Sequence, residues 1–511
     1  MIEREWREAS DMRQATATLA LILAAAAALR FWALGAGIPY GIGVDEPEIM
    51  NRAYRMMRTG DFNPHFFDYP GFYLYVQLAV SVLRFMFGAM GGEWHALKDV
   101  SALDFYAWGR VVTAFLGTAT VALVYFAGLR WGTRYALLAA GLMAVMPLHV
   151  RESHFILTDV PMTFFVALTL VLSLRASERA KVGGFVLAGT AAGLAAGTKY
   201  NGALALVMPV LAAWMTIDAK PSRLVSCLAA IGGAALAFLV VAPYTVLDLP
   251  GFLDGYATLM TSYRGSKYEE PVWILYLKHL RINLNWPGFL FAAGGIILGI
   301  VRAAKGPGHV RWTLTLAFTL VYFWFVSRQA LVYGRYIIPM LPFLCLLISA
   351  AVISGVSLLR RFSIPRVVRT SLIVALTVGV ILPPAIAAVG FNIDRSKQGT
   401  SRLAYDWIRS NLPPGTTFVH ESSLLVPPVP PYKTRHVSQL RLQTYEDYVK
   451  EGVEYLIASS QCYGPYFAAP QVYPNEYAEY MRIFEQSREV ARFSPTKDHP
   501  GGELRIYKVR P

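Results

Sequence analysis

GFYLYVQLAVSVLRFMFG, residues 71–88, decides how this chain is threaded through a membrane. Whether it crosses the bilayer or lies along it sets the side of every later loop. Around it stand eleven other apolar runs of roughly spanning length, where a helix needs about 20 apolar residues. They are 15–35, 106–129, 135–149, 159–174, 183–198, 201–217, 224–245, 286–301, 312–326, 336–356 and 370–390. The first is long and its flank MIEREWREASDMRQ is mixed in charge, which reads as an uncleaved anchor rather than a signal peptide.

Charge bias chooses between the two threadings. With 71–88 on the surface, connectors 130–134, 175–182, 218–223, 302–311 and 357–369 share one side and hold 14 Lys/Arg in 42 residues. The opposite connectors, 36–105, 150–158, 199–200, 246–285 and 327–335, hold 13 in 130. Basic loops stay cytoplasmic. Eleven spans therefore put the N-terminus inside and the C-terminus outside, whereas a twelfth would expose every later basic loop.

Composition agrees. Of 511 residues 55% are hydrophobic and 16% charged, against about a quarter charged in soluble proteins. The net charge of +14 suggests nucleic acid at first sight. Its distribution does not, because 17 basic and 6 acidic residues fall on the cytoplasmic side while the outside is nearly neutral. Cys227, Cys345 and Cys462 are too scattered for a disulfide framework or a zinc site. There is no internal repeat, Walker loop, dinucleotide fingerprint or HExxH.

The expected architecture is a polytopic α-helical membrane protein of about eleven spans with a small C-terminal α/β soluble domain. Residues 1–390 form the membrane part, with 36–105 a first external loop carrying interfacial helices. Residues 391–511 form the external domain. There, 401–411, 444–451 and 475–486 read as helices, and 417–421, 455–458, 489–493 and 504–509 as strands. Val426-Pro427-Pro428-Val429-Pro430-Pro431 reads as a loop or polyproline stretch.

Chemistry collects on the external side. Gly43-Val44-Asp45-Glu46-Pro47-Glu48 precedes an amphipathic stretch, with Pro47 suited to a first helical turn and Gly60 to the stop. Asp45 and Glu46 thus lie where the helix dipole favours ionised carboxylates. Asp45 suits a general base there, and equally a helix cap. The loop continues through His65 into aromatic sequence that reads as an interfacial floor.

Further along, His149-Val150-Arg151-Glu152-Ser153-His154 leads to Thr158-Asp159-Val160-Pro161. Either Thr158 or Asp159 would serve as an N-cap, and the irregular order of the acids and histidines reads as a polar rim rather than a metal site. Lys199, followed by Tyr200, sits at the rim either awaiting an anion or snorkelling to headgroups. Arg335, followed by Tyr336, offers a fork suited to phosphate. Arg110 lies within a span, where a charge faces the bundle interior or a cavity, and Arg30 near a span end reads as snorkelling. Carboxylates and cations on one face suit transfer of a group from a phosphate to a hydroxyl, with cations stabilising the departing phosphate.

In order, these stretches resemble the GT-C superfamily of glycosyltransferases, in particular the protein mannosyltransferase and aminoarabinose-transferase-like group (family 39-like). The motifs are Asp45-Glu46, Thr59-Gly60-Asp61-Phe62-Asn63-Pro64-His65-Phe66-Phe67 with Tyr69-Pro70, and Thr158-Asp159-Val160-Pro161. Gly197-Thr198-Lys199-Tyr200-Asn201-Gly202 and Arg335-Tyr336-Ile337-Ile338-Pro339-Met340-Leu341-Pro342 complete the set. The resemblance implies a GT-C fold and an inverting transferase in the cytoplasmic (inner or plasma) membrane. It uses a polyprenyl-phosphate sugar donor and an external glycan, lipid or protein acceptor, with membrane lipid and no nucleic acid as partners.

By position, Asp45 matches the catalytic aspartate, with Glu46 beside it, and Asp159 the second acidic site. Lys199 and Arg335, with Tyr200 and Tyr336, would contact the donor phosphate. His65, His154 and Arg110 are further candidates. No cofactor is implied, and the role of a divalent metal is left open. Protein mannosyltransferases carry β-trefoil repeats in a lumenal loop, and 246–285 is too short for one. A protein O-mannosyltransferase is the alternative within enzymes, and a lipid flippase or transporter the alternative outside them.

Overall fold

The computed structural model describes residues 2–40, 43, 45–216, 222–264, 268–305, 308–359, 365–421 and 432–509. Val426–Pro431 therefore lies outside the described residues. The chain divides into two compact units. One comprises Met1–Trp32, Arg52–Val100 and Trp108–Val389, and the other Ala33–Asn51, Ser101–Ala107 and Gly390–Pro511.

Every one of the eleven apolar runs carries helix, from Ile2–Phe31 to Arg366–Ser396. Among the described residues, seven of them contain a helix long and apolar enough to cross a membrane. An eighth helix of that kind is Phe72–Met90, the run read as lying on the surface. Its length and composition therefore suit a crossing as well, and only the charge bias of the loops argues for the surface.

Close packing in the membrane unit is set by small residues. The Val182–Thr198 and Arg223–Val241 helices touch along Gly189 and Gly193. A Cβ at Gly189 would land on the Ala230 carbonyl, and one at Gly193 on that of Ala234. Small residues four apart let two backbones approach and so replace the missing hydrophobic drive between helices in lipid. Gly189→Leu is expected to lower the melting temperature of the solubilised protein by several degrees, since overpacking costs about 1–3 kcal/mol. Gly232→Leu is the control: a Cβ there meets nothing within 4 Å, so an unchanged melting temperature is expected.

Arg30 corrects its reading as a snorkelling residue. It is fully buried and donates to the carbonyls of Ala26 at 3.0 Å, Ala144 at 2.9 Å and Met143 at 3.1 Å. Ala144 ends the Thr133–Ala144 helix, where the last carbonyls lack partners within the helix. The guanidinium supplies them. Its fourth contact is His149 Nδ1 at 3.0 Å, which must accept, so that imidazole is the Nε2–H tautomer.

The second unit is built on a five-stranded sheet. Its strands are β1 Thr417–Glu421, β2 Lys433–Val437, β3 Tyr455–Ser459, β4 Arg488–Phe493 and β5 Leu504–Lys508, in the order β2-β1-β3-β5-β4. β1 runs parallel to β2 and β3, while β5 is antiparallel to β3 and β4. Alternate side chains face opposite sides. Phe418, Ile457 and Ile506 pack with Tyr405 and Ile408 of the Thr400–Asn411 helix, and Val419, Leu456 and Tyr507 with Tyr448, Tyr463 and Tyr480. The segment 33–51 belongs here because Tyr40 lies 4.4 Å from the Tyr405 ring, with Arg402 stacked on it at 4.4 Å.

Glu421, at the end of β1, is fully buried in this sheet. It accepts from the backbone N–H groups of Leu440 at 2.7 Å and Ser459 at 2.9 Å, and from the Tyr480 hydroxyl at 2.7 Å. Burial outweighs these donors and pushes its carboxyl up to about 7. A raised carboxyl binds a proton more tightly folded than unfolded, so its contribution to stability is complete at pH 4 and lost as pH rises through 7. A thermal melt of the domain is expected to weaken from pH 5 to pH 8, by about 3 kcal/mol at most. Glu421→Gln is expected to flatten that slope.

Candidate active site

Three polar residues from separate breaks in the membrane helices converge. Asp159 opens the Asp159–Arg179 helix and is 2% exposed. It is not simply a cap, nor does the Thr158 side chain make a capping bond. Instead Asp159 Oδ1 accepts from Lys199 Nζ at 2.7 Å, and its other oxygen lies 3.7 Å from Arg335 Nε.

Lys199 stands at the break between the Val182–Thr198 helix and a 3-10 segment, Tyr200–Leu206, with an extended backbone (φ −155°, ψ 134°). Gly202 makes that break compact, because a Cβ there would strike the Ala195 carbonyl. Lys199 does not snorkel: its side chain is 9% exposed and paired with Asp159. Its Nζ also lies 4.5 Å over the Tyr336 ring, a cation–π contact. Arg335 begins a second 3-10 segment, Gly334–Met340, and stacks at 5.1 Å on Tyr333.

Lys199 and Arg335 edge a cavity of about 450 Å³ whose lining includes six tyrosines. Lys199, Tyr200, Arg335 and Tyr336 line it, together with Asp68, Tyr69, Tyr256 and Tyr263. Tyr336 and Tyr263 join hydroxyl to hydroxyl at 2.8 Å, and burial pushes the Tyr263 phenol up. The Tyr200 hydroxyl donates to the Phe67 carbonyl at 2.9 Å, with its ring edge-on to Tyr256 at 5.3 Å. Polar groups converging in a mostly preformed pocket with aromatic walls are what a small-ligand site needs.

Sequence reasoning missed Tyr256 and Tyr263. They come from the Leu249–Ser262 helix and its end, in a loop where no motif pointed to chemistry. Glu152, read in the sequence as part of a polar rim, is 4% exposed, and its carboxylate takes two bonds from Arg151 at 2.6 and 2.8 Å. Burial pushes the Glu152 carboxyl up, with Asp159 adding to and Arg151 and Arg335 opposing the shift.

Asp45 and Glu46 belong to the second unit. Asp45 sits in the turn directly before the Glu46–Thr59 helix, as expected. Glu46 is buried and its carboxylate accepts from the Gly43 N–H at 2.6 Å, which ties it to its own loop. His65 pairs with Asp61 at 2.9 Å on an exposed turn. His154 is buried between the carbonyls of Val150 at 2.8 Å and Trp32 at 3.0 Å, a bracing role. Arg110 is fully buried, 5.9 Å from the Phe155 ring. Among the described residues no three His, Cys, Asp or Glu side chains gather as a metal site would require.

Residues 50–254 match the family described as dolichyl-phosphate-mannose-protein mannosyltransferase. Asp159 and Lys199 lie within the match, and Asp45, Glu46 and Arg335 outside it. No curated protein matches the chain in sequence.

Among solved structures, ArnT from Cupriavidus metallidurans bound to undecaprenyl phosphate aligns with a TM-score of 0.56 at 15% identity, over 97% of this chain and 99% of that one. The oligosaccharyltransferase AglB from Archaeoglobus fulgidus, in complex with an inhibitory peptide and a dolichol-phosphate, aligns with a TM-score of 0.57 at 14% identity. That alignment covers 96% of this chain and 74% of the other. At such identity these likenesses show the fold. The chain therefore has a GT-C fold built of many apolar helices suited to a membrane, and its residues 50–254 match the model of the dolichyl-phosphate-mannose-protein mannosyltransferase family.

Proposed function

We propose that the protein transfers a sugar from a polyprenyl-phosphate donor to an acceptor hydroxyl outside the cytoplasm, inverting the anomeric centre. The observation that carries this is the Lys199–Asp159–Arg335 cluster, whose two cations line a cavity rich in tyrosine. Lys199 and Arg335 receive the phosphate oxygens as the bond from the anomeric carbon to the phosphate breaks. Asp159 holds both cations in place and is offset by them, so it serves as a positioning residue. Tyr200 and Tyr336 shape the cavity beside them. Asp45 is the base that takes the acceptor proton as the new glycosidic bond forms. That role rests on its place before the Glu46–Thr59 helix and on the motif it heads.

Orientation follows the charge bias, with the N-terminus cytoplasmic and the sheet domain outside the cytoplasmic membrane. A phosphate is already a good leaving group, so no acid need face it. Protein as acceptor is the second reading, favoured by the description of the matching family.

Membranes containing the protein, supplied with radiolabelled polyprenyl-phosphate sugars, are expected to pass label to a lipid, glycan or protein fraction. No turnover of any such donor would overturn the proposal. Label in a protein fraction would select the second reading.

A further inference from the structure

A second cavity, separate from the candidate active site, runs along the Val272–Lys305 and Leu341–Leu359 helices. Its volume is about 990 Å³. Trp286 and Pro287 close one end, where the first helix departs from helical geometry at Asn285 (φ 57°). Leu290 and Leu298 wall the middle. The floor there is open because Gly294 and Gly355 carry no side chain, and a Cβ at either would meet nothing within 4 Å.

Arg302 lies at the far end and is the one charged lining residue among those described, accompanied by Ser354 and Ser357. Among the described residues no carboxylate pairs with Arg302. Its like-charged neighbour Arg311 is drawn down by burial and then by Arg302, and Arg311 Nε is buried without a partner. Arg311 is itself engaged by the Arg130 carbonyl and the Trp131 ring, so Arg302 is the guanidinium at this membrane surface that calls for an anion.

Dimensions fix its kind. The helix from Trp286 to Arg302 rises about 24 Å at 1.5 Å per residue. A headgroup zone takes about 6 Å and one leaflet's hydrocarbon about 15 Å. The groove is thus one leaflet deep, apolar along its length and cationic at its mouth.

We propose that this groove holds one anionic phospholipid, with its phosphate at Arg302 and its acyl chains laid over Gly355 and Gly294 towards Trp286. The site is independent of the donor cavity, and none of its residues belongs to the machinery described above.

The test is native mass spectrometry of the purified full chain, titrated with phosphatidylglycerol or phosphatidylcholine of identical chains. Wild type is expected to retain phosphatidylglycerol at least tenfold better. Arg302→Gln is expected to erase that preference while leaving some binding. Gly294→Leu/Gly355→Leu, which fills open space without a clash, is expected to lose both lipids with an unchanged melting temperature in lipid-free detergent. Equal retention of the two lipids by wild type, or a preference that survives Arg302→Gln, would overturn the proposal. So would displacement of bound phosphatidylglycerol by an equal concentration of polyprenyl phosphate, which would assign the groove to a prenyl chain.

Discussion

Lys199→Met is expected to cut transfer by about 10²–10³-fold, the scale on which removal of one preorganised charge partner acts, and to destabilise the membrane unit as well. The two effects have different causes. Asp159 is 2% exposed, and its short contact is the Lys199 ammonium at 2.7 Å, with Arg335 further off at 3.7 Å. Removing the lysine leaves a buried carboxylate with a distant counter-charge, a loss of about 3–5 kcal/mol. Asp159→Asn/Lys199→Met separates the causes. The double variant removes both charges and is expected to recover much of the melting temperature while leaving transfer as low as in Lys199→Met. If activity returned with stability, the lysine would be a structural partner of Asp159 and nothing more.

Asp45→Asn is expected to lower kcat by about 10²–10⁴-fold with KM changed little, as loss of a general base does. The asparagine keeps the size and the capping oxygen of the side chain, so the turn before the Glu46–Thr59 helix should survive. Circular dichroism and melting temperature are expected to match wild type. Glu46→Gln supplies the contrast. Its carboxylate accepts from the Gly43 N–H at 2.6 Å, a bond that a glutamine oxygen can also accept, so a change of less than tenfold is expected. An Asp45→Asn enzyme of near-normal rate would remove Asp45 from the reaction.

Much of this molecule was legible because membranes and sheets impose plain periodicities. All eleven apolar runs carry helix, since a bilayer tolerates little else, although among the described residues only seven of them hold a helix long and apolar enough to cross. Four of the five strands were readable from their apolar content. β2, Lys433–Val437, was not, because KTRHV has no apolar face and forms an exposed edge strand. The helix Ser460–Ala468 was missed too, its Gly464 and Pro465 reading as breakers.

In the site, each cation was found but its partner was not. Sequence placed Lys199 and Arg335 at one rim and offered lipid or anion as company. That Asp159 stands between them depends on 3-10 breaks at Tyr200–Leu206 and Gly334–Met340, which have no periodic signature. Arg30 failed for a related reason: position near a span end suggests water, and only the end of the Thr133–Ala144 helix shows why it is buried.

Affinity of the purified protein for a polyprenyl phosphate, set against the same polyprenyl alcohol without its phosphate, tests the donor site most directly. Wild type is expected to bind the phosphate about thirtyfold more tightly, near 2 kcal/mol. In Arg335→Gln, which spares the Lys199–Asp159 pair, that advantage is expected to shrink to a few fold. Equal binding of alcohol and phosphate by wild type, or an advantage that Arg335→Gln leaves untouched, would contradict a phosphate site at Lys199 and Arg335.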